Sequence, residues 1–355
     1  MSVAGCDRRR RHEVRRGALW LATAMLAGGM GAGALSPRAT GAQEVHVLTV
    51  IGLGGDPDYR EAFLQWGLRI RTAVLERFGL PQENVTLLSE APEMDPAVAG
   101  RSDREGVESA VAELARRAGP NDRVLVVLIG HGSYRAGEAR FNLPGPDLDA
   151  REWGDLLTAL GDRPVALVNT TSSSGPFVEA TAAPNRTVIT ATKTGGERNE
   201  TQFARFFAEA LEGDAADLDK DGMLSLLEAF TYTRAEIARW YQEENLLLTE
   251  HALLDDNGDG EGSEEPSRDG PDGAVAAFFR LVPSTLVMAA PEVMGDSVLV
   301  RLMNERTALE ARVAQLRARR DEMDRENYES QLEDLLVEIA LKSREIEARG
   351  GGGTA

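Results

Sequence analysis

Between residues 44 and 212 the chain alternates two patterns. Short unbroken apolar runs are separated by longer stretches in which apolar residues recur every three or four positions. The runs are "EVHVLTVIGLGG" (44–55), "NVTLLS" (84–89), "DRVLVVLIGHG" (122–132), "PVALVN" (164–169) and "TVITAT" (187–192). Runs this short, bounded by Gly, Asn or Asp, predict buried strands. The run at 122–129 is apolar on both faces, as a central parallel strand is. Between the runs, residues 58–78 carry Phe63, Leu64, Leu68, Ile70, Val74, Leu75 and Phe78 at helical spacing and close on Gly79. Further helices are predicted over 102–117, 150–160 and 201–211. Strand–helix alternation predicts an α/β fold: a mostly parallel sheet with helices on both faces. Ligand sites in such sheets lie beyond the carboxyl ends of the strands.

The pattern changes after residue 212. Residues 213–273 are acidic and polar, and 261–273 read as a loop. "AVAAFFRLVPSTLVMAAP" (274–291) predicts a return to the core, within a segment bounded at 296. Residues 297–349 then read as helix. Leu302, Leu309, Leu316 and Met323 repeat every seven residues, with Val313 between them. The phase shifts near Tyr328, and Leu332, Leu336, Ile339 and Ile346 resume a four-three spacing. One broken coiled coil, a helical hairpin, or a helix packed on its own domain fits this pattern. Self-association through these helices is a corollary of the first two.

The N-terminus reads as an export signal spanning 1–42. Arginines precede a short apolar stretch, "ALWLATAMLA" (18–27), and Thr40-Gly41-Ala42 offers small residues for cleavage. No stable membrane span is expected after its removal, and the protein is placed in the periplasm or outside the cell. The chain carries −19 and this segment +5, which leaves −24 on the remainder. So acidic a body argues against nucleic acid, whose phosphates need Lys and Arg. The single cysteine, Cys6, lies within the signal. The remainder therefore has no disulfide, no thiolate metal site and no thiol nucleophile.

Two loops at predicted strand ends carry chemistry. In "LIGHGSY" (128–134), Gly130 and Gly132 flank His131. Glycines there let the backbone bend and leave amide N–H groups open to a substrate oxyanion, so Gly132 joins His131 as a candidate. In "LVNTTSSSGPF" (167–177), five hydroxyl residues run from Thr170 to Ser174. A nucleophile one strand away from a histidine can lose its proton to it. The same residues also suit helix capping. The order of pieces resembles the caspase/legumain-like cysteine peptidases, the caspase–haemoglobinase fold, over roughly residues 44–212. That family joins a strand ending in His-Gly to a later strand ending in a pattern like Asp-Ala-Cys-x-Ser-Gly-x-Phe. Ser174-Gly175-Pro176-Phe177 match the Ser-Gly-x-Phe. The resemblance then implies that Ser172 stands in the cysteine's place, Thr170 in the acid's, and His131 in the catalytic histidine's. It also implies a peptide or protein as substrate or partner. The chain looks like an exported bacterial subgroup with serine in the nucleophile loop. A serine hydroxyl is far less acidic than a thiol and needs a well-oriented base. Two readings follow: a peptidase using a His131/Ser172 dyad, or a catalytically inactive homologue acting as a calcium-stabilised interaction protein. Arg198, Asn199 and Glu200 follow the next strand, where the resemblance places substrate-side loops; they either line that cleft or cap the 201–211 helix, and the cap is the expectation.

The second chemical signal is "DLDKDGMLSLLE" (217–228), which resembles an EF-hand calcium loop. Asp217, Asp219 and Asp221 take its first, third and fifth positions, and Gly222 the turn at the sixth. Met223 offers its carbonyl, Ser225 stands at the ninth position and Glu228 at the twelfth. "DDNGDGEG" (255–262) repeats the opening with Asp255, Asn257 and Asp259, but its twelfth position is Pro266, which lacks a ligating side chain. Ca²⁺ is the expected cofactor, in a structural role that fits an exported acidic protein.

Overall fold

The computed structural model describes residues 43–220, 223–281 and 323–350, together with Leu302, Glu305, Arg306, Leu309, Arg312, Val313, Leu316, Arg317 and Arg320. The proposed signal (1–42), Asp221 and Gly222 fall outside the described residues.

Every residue of β1 (Val45–Ile51) is buried. The chain then turns into α1 (Pro57–Thr72), with Pro57 in the first turn and the Asp56 carboxylate accepting the Asp58 N–H at 2.8 Å. One wider turn, Ala73–Arg77, extends it, and Gly79 ends it at φ +64°. Next come β2 (Val85–Ser89), the two-residue β3 (Gly100–Arg101) and α2 (Arg104–Arg117), capped by Asp103. The central strand is β4 (Arg123–Ile129). A small antiparallel sheet follows, made of β5 (Gly132–Arg135), β6 (Glu138–Phe141) and β7 (Leu148–Asp149). Asp149 and Glu152 form a reciprocal capping box that starts α3 (Ala150–Thr158). The domain continues through β8 (Val165–Asn169), α4 (Phe177–Thr181), β9 (Arg186–Thr190), α5 (Phe203–Glu212), α6 (Leu226–Glu243) and β10 (Leu253–Asp255).

The main sheet has seven strands in the order β10-β9-β8-β4-β1-β2-β3. All pair in parallel except β10, which runs antiparallel to β9. From β1 the chain moves outward one way, and from β4 the other, so the order reverses between these two neighbours. Ligands bind such sheets outside the carboxyl ends at this kind of point; here the Phe141–Asn142 segment lies over it, and the Leu53 N–H donates to the Asn142 carbonyl at 2.9 Å. The ends are level: Ile51 pairs with Ile129, Leu128 with Asn169, and Asn169 with Thr190. Both faces are covered, as the unbroken apolar strands require. Phe63, Ile70, Phe203, Phe207, Phe230 and Ile237 of α1, α5 and α6 pack on one face. Val107, Val111, Trp153, Leu157 and Phe177 of α2, α3 and α4 pack on the other.

Ala276, Phe279 and Leu281 join the first of these cores. The Leu226 N–H donates to the Phe279 carbonyl at 3.0 Å, which ties this segment to the start of α6. The last helix is α7 (Arg325–Gly350). Leu309, Val313 and Leu316 pack against its Leu335, flanked by Leu332 and Ile339, and Lys342 meets Glu305 at 2.6 Å. Among the described residues, no helix is long and apolar enough to cross a membrane.

Candidate functional site

His131 follows the end of β4 and sits next to the loop that leaves β8. Its ring lies edge-on to Tyr59 (centroids 4.7 Å apart) and Phe63 (5.0 Å), both on α1. Tyr59 donates its hydroxyl to Glu200 Oε2 at 2.9 Å, and this bond to a carboxylate holds the phenol above its ordinary pKa. Among the described residues the His131 imidazole has no hydrogen-bond partner. The backbone is pinned instead: the Asn142 N–H donates to the His131 carbonyl at 3.1 Å.

The hydroxyl run leaves β8 immediately alongside. A Cβ on Gly132 would overlap the Ser172 carbonyl oxygen, so only glycine allows the two loops to touch at this point. Ser172 is 7% exposed, and its hydroxyl donates to the Gly132 carbonyl at 3.2 Å. Three of the other four hydroxyls build the loop. Thr170 donates to the Leu128 carbonyl at 2.7 Å, and Thr171 to Asn169 Oδ1 at 2.8 Å. Ser174 shares a 3.1 Å bond with Thr192 on the loop after β9 and accepts the Thr192 N–H. Ser173 differs. It sits at φ +57°, uncommon for a non-glycine residue, and its buried hydroxyl has no partner. Its N–H donates to the Glu197 carbonyl at 2.7 Å. Thr170 accepts a bond from the Thr201 hydroxyl at its carbonyl (2.5 Å).

The expected cap for α5 is not the one observed. Glu200 is bonded to Tyr59, Asn199 to Thr249 (3.0 Å), and Arg198 to the Tyr134 carbonyl (3.4 Å). Glu250 takes the helix end, accepting the Gln202 N–H at 2.8 Å. It comes from a segment nearly fifty residues downstream, so no local motif could reveal it. Glu250 is 3% exposed, and burial, with Glu197 and Glu200 nearby, pushes its carboxyl up to about 8.

The acidic loop joins α5 to α6. Asp217, Asp219 and Glu228 each bring an oxygen within 4.8 Å of the others. Glu228 is fixed at both oxygens: Oε1 accepts the Leu218 N–H at 3.0 Å, and Oε2 accepts the Ser225 N–H at 2.9 Å. Ser225 completes a capping box at the start of α6. The Met223 thioether faces Arg280 at 3.2 Å. In the second acidic loop, both oxygens of buried Asp255 are engaged at 2.9 Å by the N–H groups of Gly258 and Gly260. Asn257 and Asp259 bond to each other (3.0 Å). Asp272, absent from the sequence reading, is buried beside Asp255, Asp256 and Asp259. Desolvation and these neighbours raise its carboxyl to about 7.

No protein-family model matches the chain, and no curated protein matches it. Among solved structures it is similar to the initiator caspase Dronc of Drosophila, with 13% identity and a TM-score of 0.40 over 60% of this chain and 79% of that one. It is also similar to protein GSU0716 of Geobacter sulfurreducens, with 12% identity and a TM-score of 0.38 over 60% of this chain and 92% of that one.

Proposed function

We propose that this chain is an exported, calcium-stabilised member of the caspase/legumain-like peptidase class that holds a peptide or protein segment at the His131–Ser172 crevice without cleaving it. One observation carries the non-hydrolytic half: the Ser172 hydroxyl donates to the Gly132 carbonyl, while the His131 ring rests against Tyr59 and Phe63. A serine nucleophile needs a base at its hydroxyl and a third group orienting that base. Among the described residues His131 has neither bond. Class membership is supported by the order of elements and by the two motif loops leaving adjacent parallel strands.

In this reading Ca²⁺ is held by Asp217, Asp219, Asp221, the Met223 carbonyl, Ser225 and Glu228. It stiffens the joint between α5 and α6. The convergence of three acidic side chains in that loop supports the assignment.

Hydrolysis by the dyad is the second reading. The observation in its favour is the contact between the His131-Gly132 step and Ser172, since catalytic bonds often tighten only when substrate binds. Incubating the calcium-loaded chain with a diverse fluorogenic peptide library separates the two. The proposal expects the same background from wild type, Ser172→Ala and His131→Ala. Turnover in wild type that both substitutions abolish would overturn it.

A further inference from the structure

At the opposite end of the sheet, where β1 and β4 begin, three ligand-type side chains meet. Glu44, His46 and Asp122 each place one ligand atom within 4.8 Å of the other two. His46 lies on β1 and is 2% exposed; Asp122 precedes β4 and is 9% exposed; Glu44 is open to solvent. We propose that these residues bind a divalent transition-metal ion, zinc by preference, independently of both the crevice and the calcium loop.

The geometry is the first argument. His46 Nε2 stands 3.1 Å from Asp122 Oδ2. With metal–nitrogen and metal–oxygen bonds of about 2.1 Å, that separation puts the two atoms roughly 95° apart around one shared ion. The carboxylates are already oriented by outer partners. Asp122 accepts the N–H groups of Glu44 (2.9 Å) and Gly119 (2.7 Å). Glu44 Oε2 accepts from Asn84 Nδ2 at 3.0 Å, and Asn84 is itself buried. Such supporting bonds orient metal ligands.

The second argument is energetic. His46 Nδ1 is buried and has no hydrogen-bond partner. The ring is therefore withdrawn from water with a single 3.1 Å contact to offset the loss. A metal bond at Nε2 would replace that contact with a stronger one and would leave the ring proton on Nδ1. The donor set also selects the ion. One imidazole and two carboxylates suit zinc and its first-row neighbours, whereas Ca²⁺ prefers the all-oxygen loop at 217–228. Exposed Glu44 leaves an entry path and room for water to complete the shell. An ion here would clasp the starts of two central strands.

The test is titration of the full chain with zinc chloride in excess Ca²⁺, followed by a count of retained metal. One zinc per chain is expected in wild type and in Glu228→Gln. His46→Gln should retain none, and exposed Glu44→Gln should weaken binding by about tenfold or more. Cobalt(II) in the same site should give visible bands of a histidine-containing ligand set. No zinc in wild type overturns the proposal, as does full retention in His46→Gln. Should His46→Gln fail to fold, the cobalt spectrum and Glu44→Gln decide: a spectrum without nitrogen ligation, or unchanged affinity, refutes the site.

Discussion

Gly132 and Ser172 lie so close that a single methyl group on the glycine would collide with the serine carbonyl, while the Ser172 hydroxyl closes the gap by donating to the Gly132 carbonyl at 3.2 Å. Two loops from adjacent strands are thereby joined at one point. Gly132→Ala should cost about 1–3 kcal/mol, the usual price of forcing a methyl group into a packed site. Ser172→Ala removes one hydrogen bond and should cost about 1 kcal/mol. Urea unfolding measures both; a Gly132→Ala midpoint equal to wild type would show that the loops separate freely.

Glu250 gives stability a pH dependence of defined sign. Its carboxyl is raised to about 8 in the folded chain from an ordinary 4.5. Between those values the unfolded chain loses the proton and the folded chain keeps it. Stability contributed by the neutral form is thus full below pH 4.5 and falls as pH rises toward 8. Asp272, raised to about 7, acts in the same direction. Glu250→Gln keeps an acceptor for the Gln202 N–H but cannot ionise. Its unfolding midpoint should decline less than that of wild type between pH 5 and pH 8; parallel declines would remove Glu250 as a cause.

Calcium should raise the melting temperature, and chelation should reverse the rise. At a free concentration one hundred times Kd, a single site contributes about 2.7 kcal/mol. Glu228→Gln should abolish most of the response, because both Glu228 oxygens are aimed into the loop. An identical melting curve with and without chelator would refute a structural ion there.

Arg163 should be a structural hot spot away from any site. Its guanidinium reaches the carbonyls of Ala115, Ala118 and Gly119 at the end of α2, and of Leu160 beyond α3. Arg163→Ala should cost about 2–3 kcal/mol, since bonds from a charged donor are worth more than neutral ones. Arg163→Lys should recover little, because an ammonium cannot span the fork. Full recovery in chemical denaturation would mean that charge alone is needed.

The parts legible in the sequence were those whose cause is local. The apolar run at 124–129 is buried throughout, as its composition requires. His131 and the hydroxyl loop were visible because their strands announce where they end. The antiparallel sheet of β5, β6 and β7 was missed: its strands are two to four residues long, and they pair only because the chain folds back across Asn142. The wide turn at Ala73–Arg77 hid inside an uninterrupted helical pattern, since its apolar positions still reach the core. Glu250 and Asp272 could not be found by spacing. Each becomes notable only when a distant segment withdraws it from water.

The hydroxyl loop has the layout of a socket. Thr170, Thr171 and Ser174 anchor its frame, and a Cβ on Gly175 would run into the Lys193 carbonyl. The Ser172 side chain adds one bond, to the Gly132 carbonyl of the neighbouring loop, and none within its own loop. The identity of the side chain at 172 is thus decoupled from the architecture that presents it. Ser172→Cys changes one atom and leaves the Thr170, Thr171 and Ser174 bonds in place, so the loop should keep its backbone.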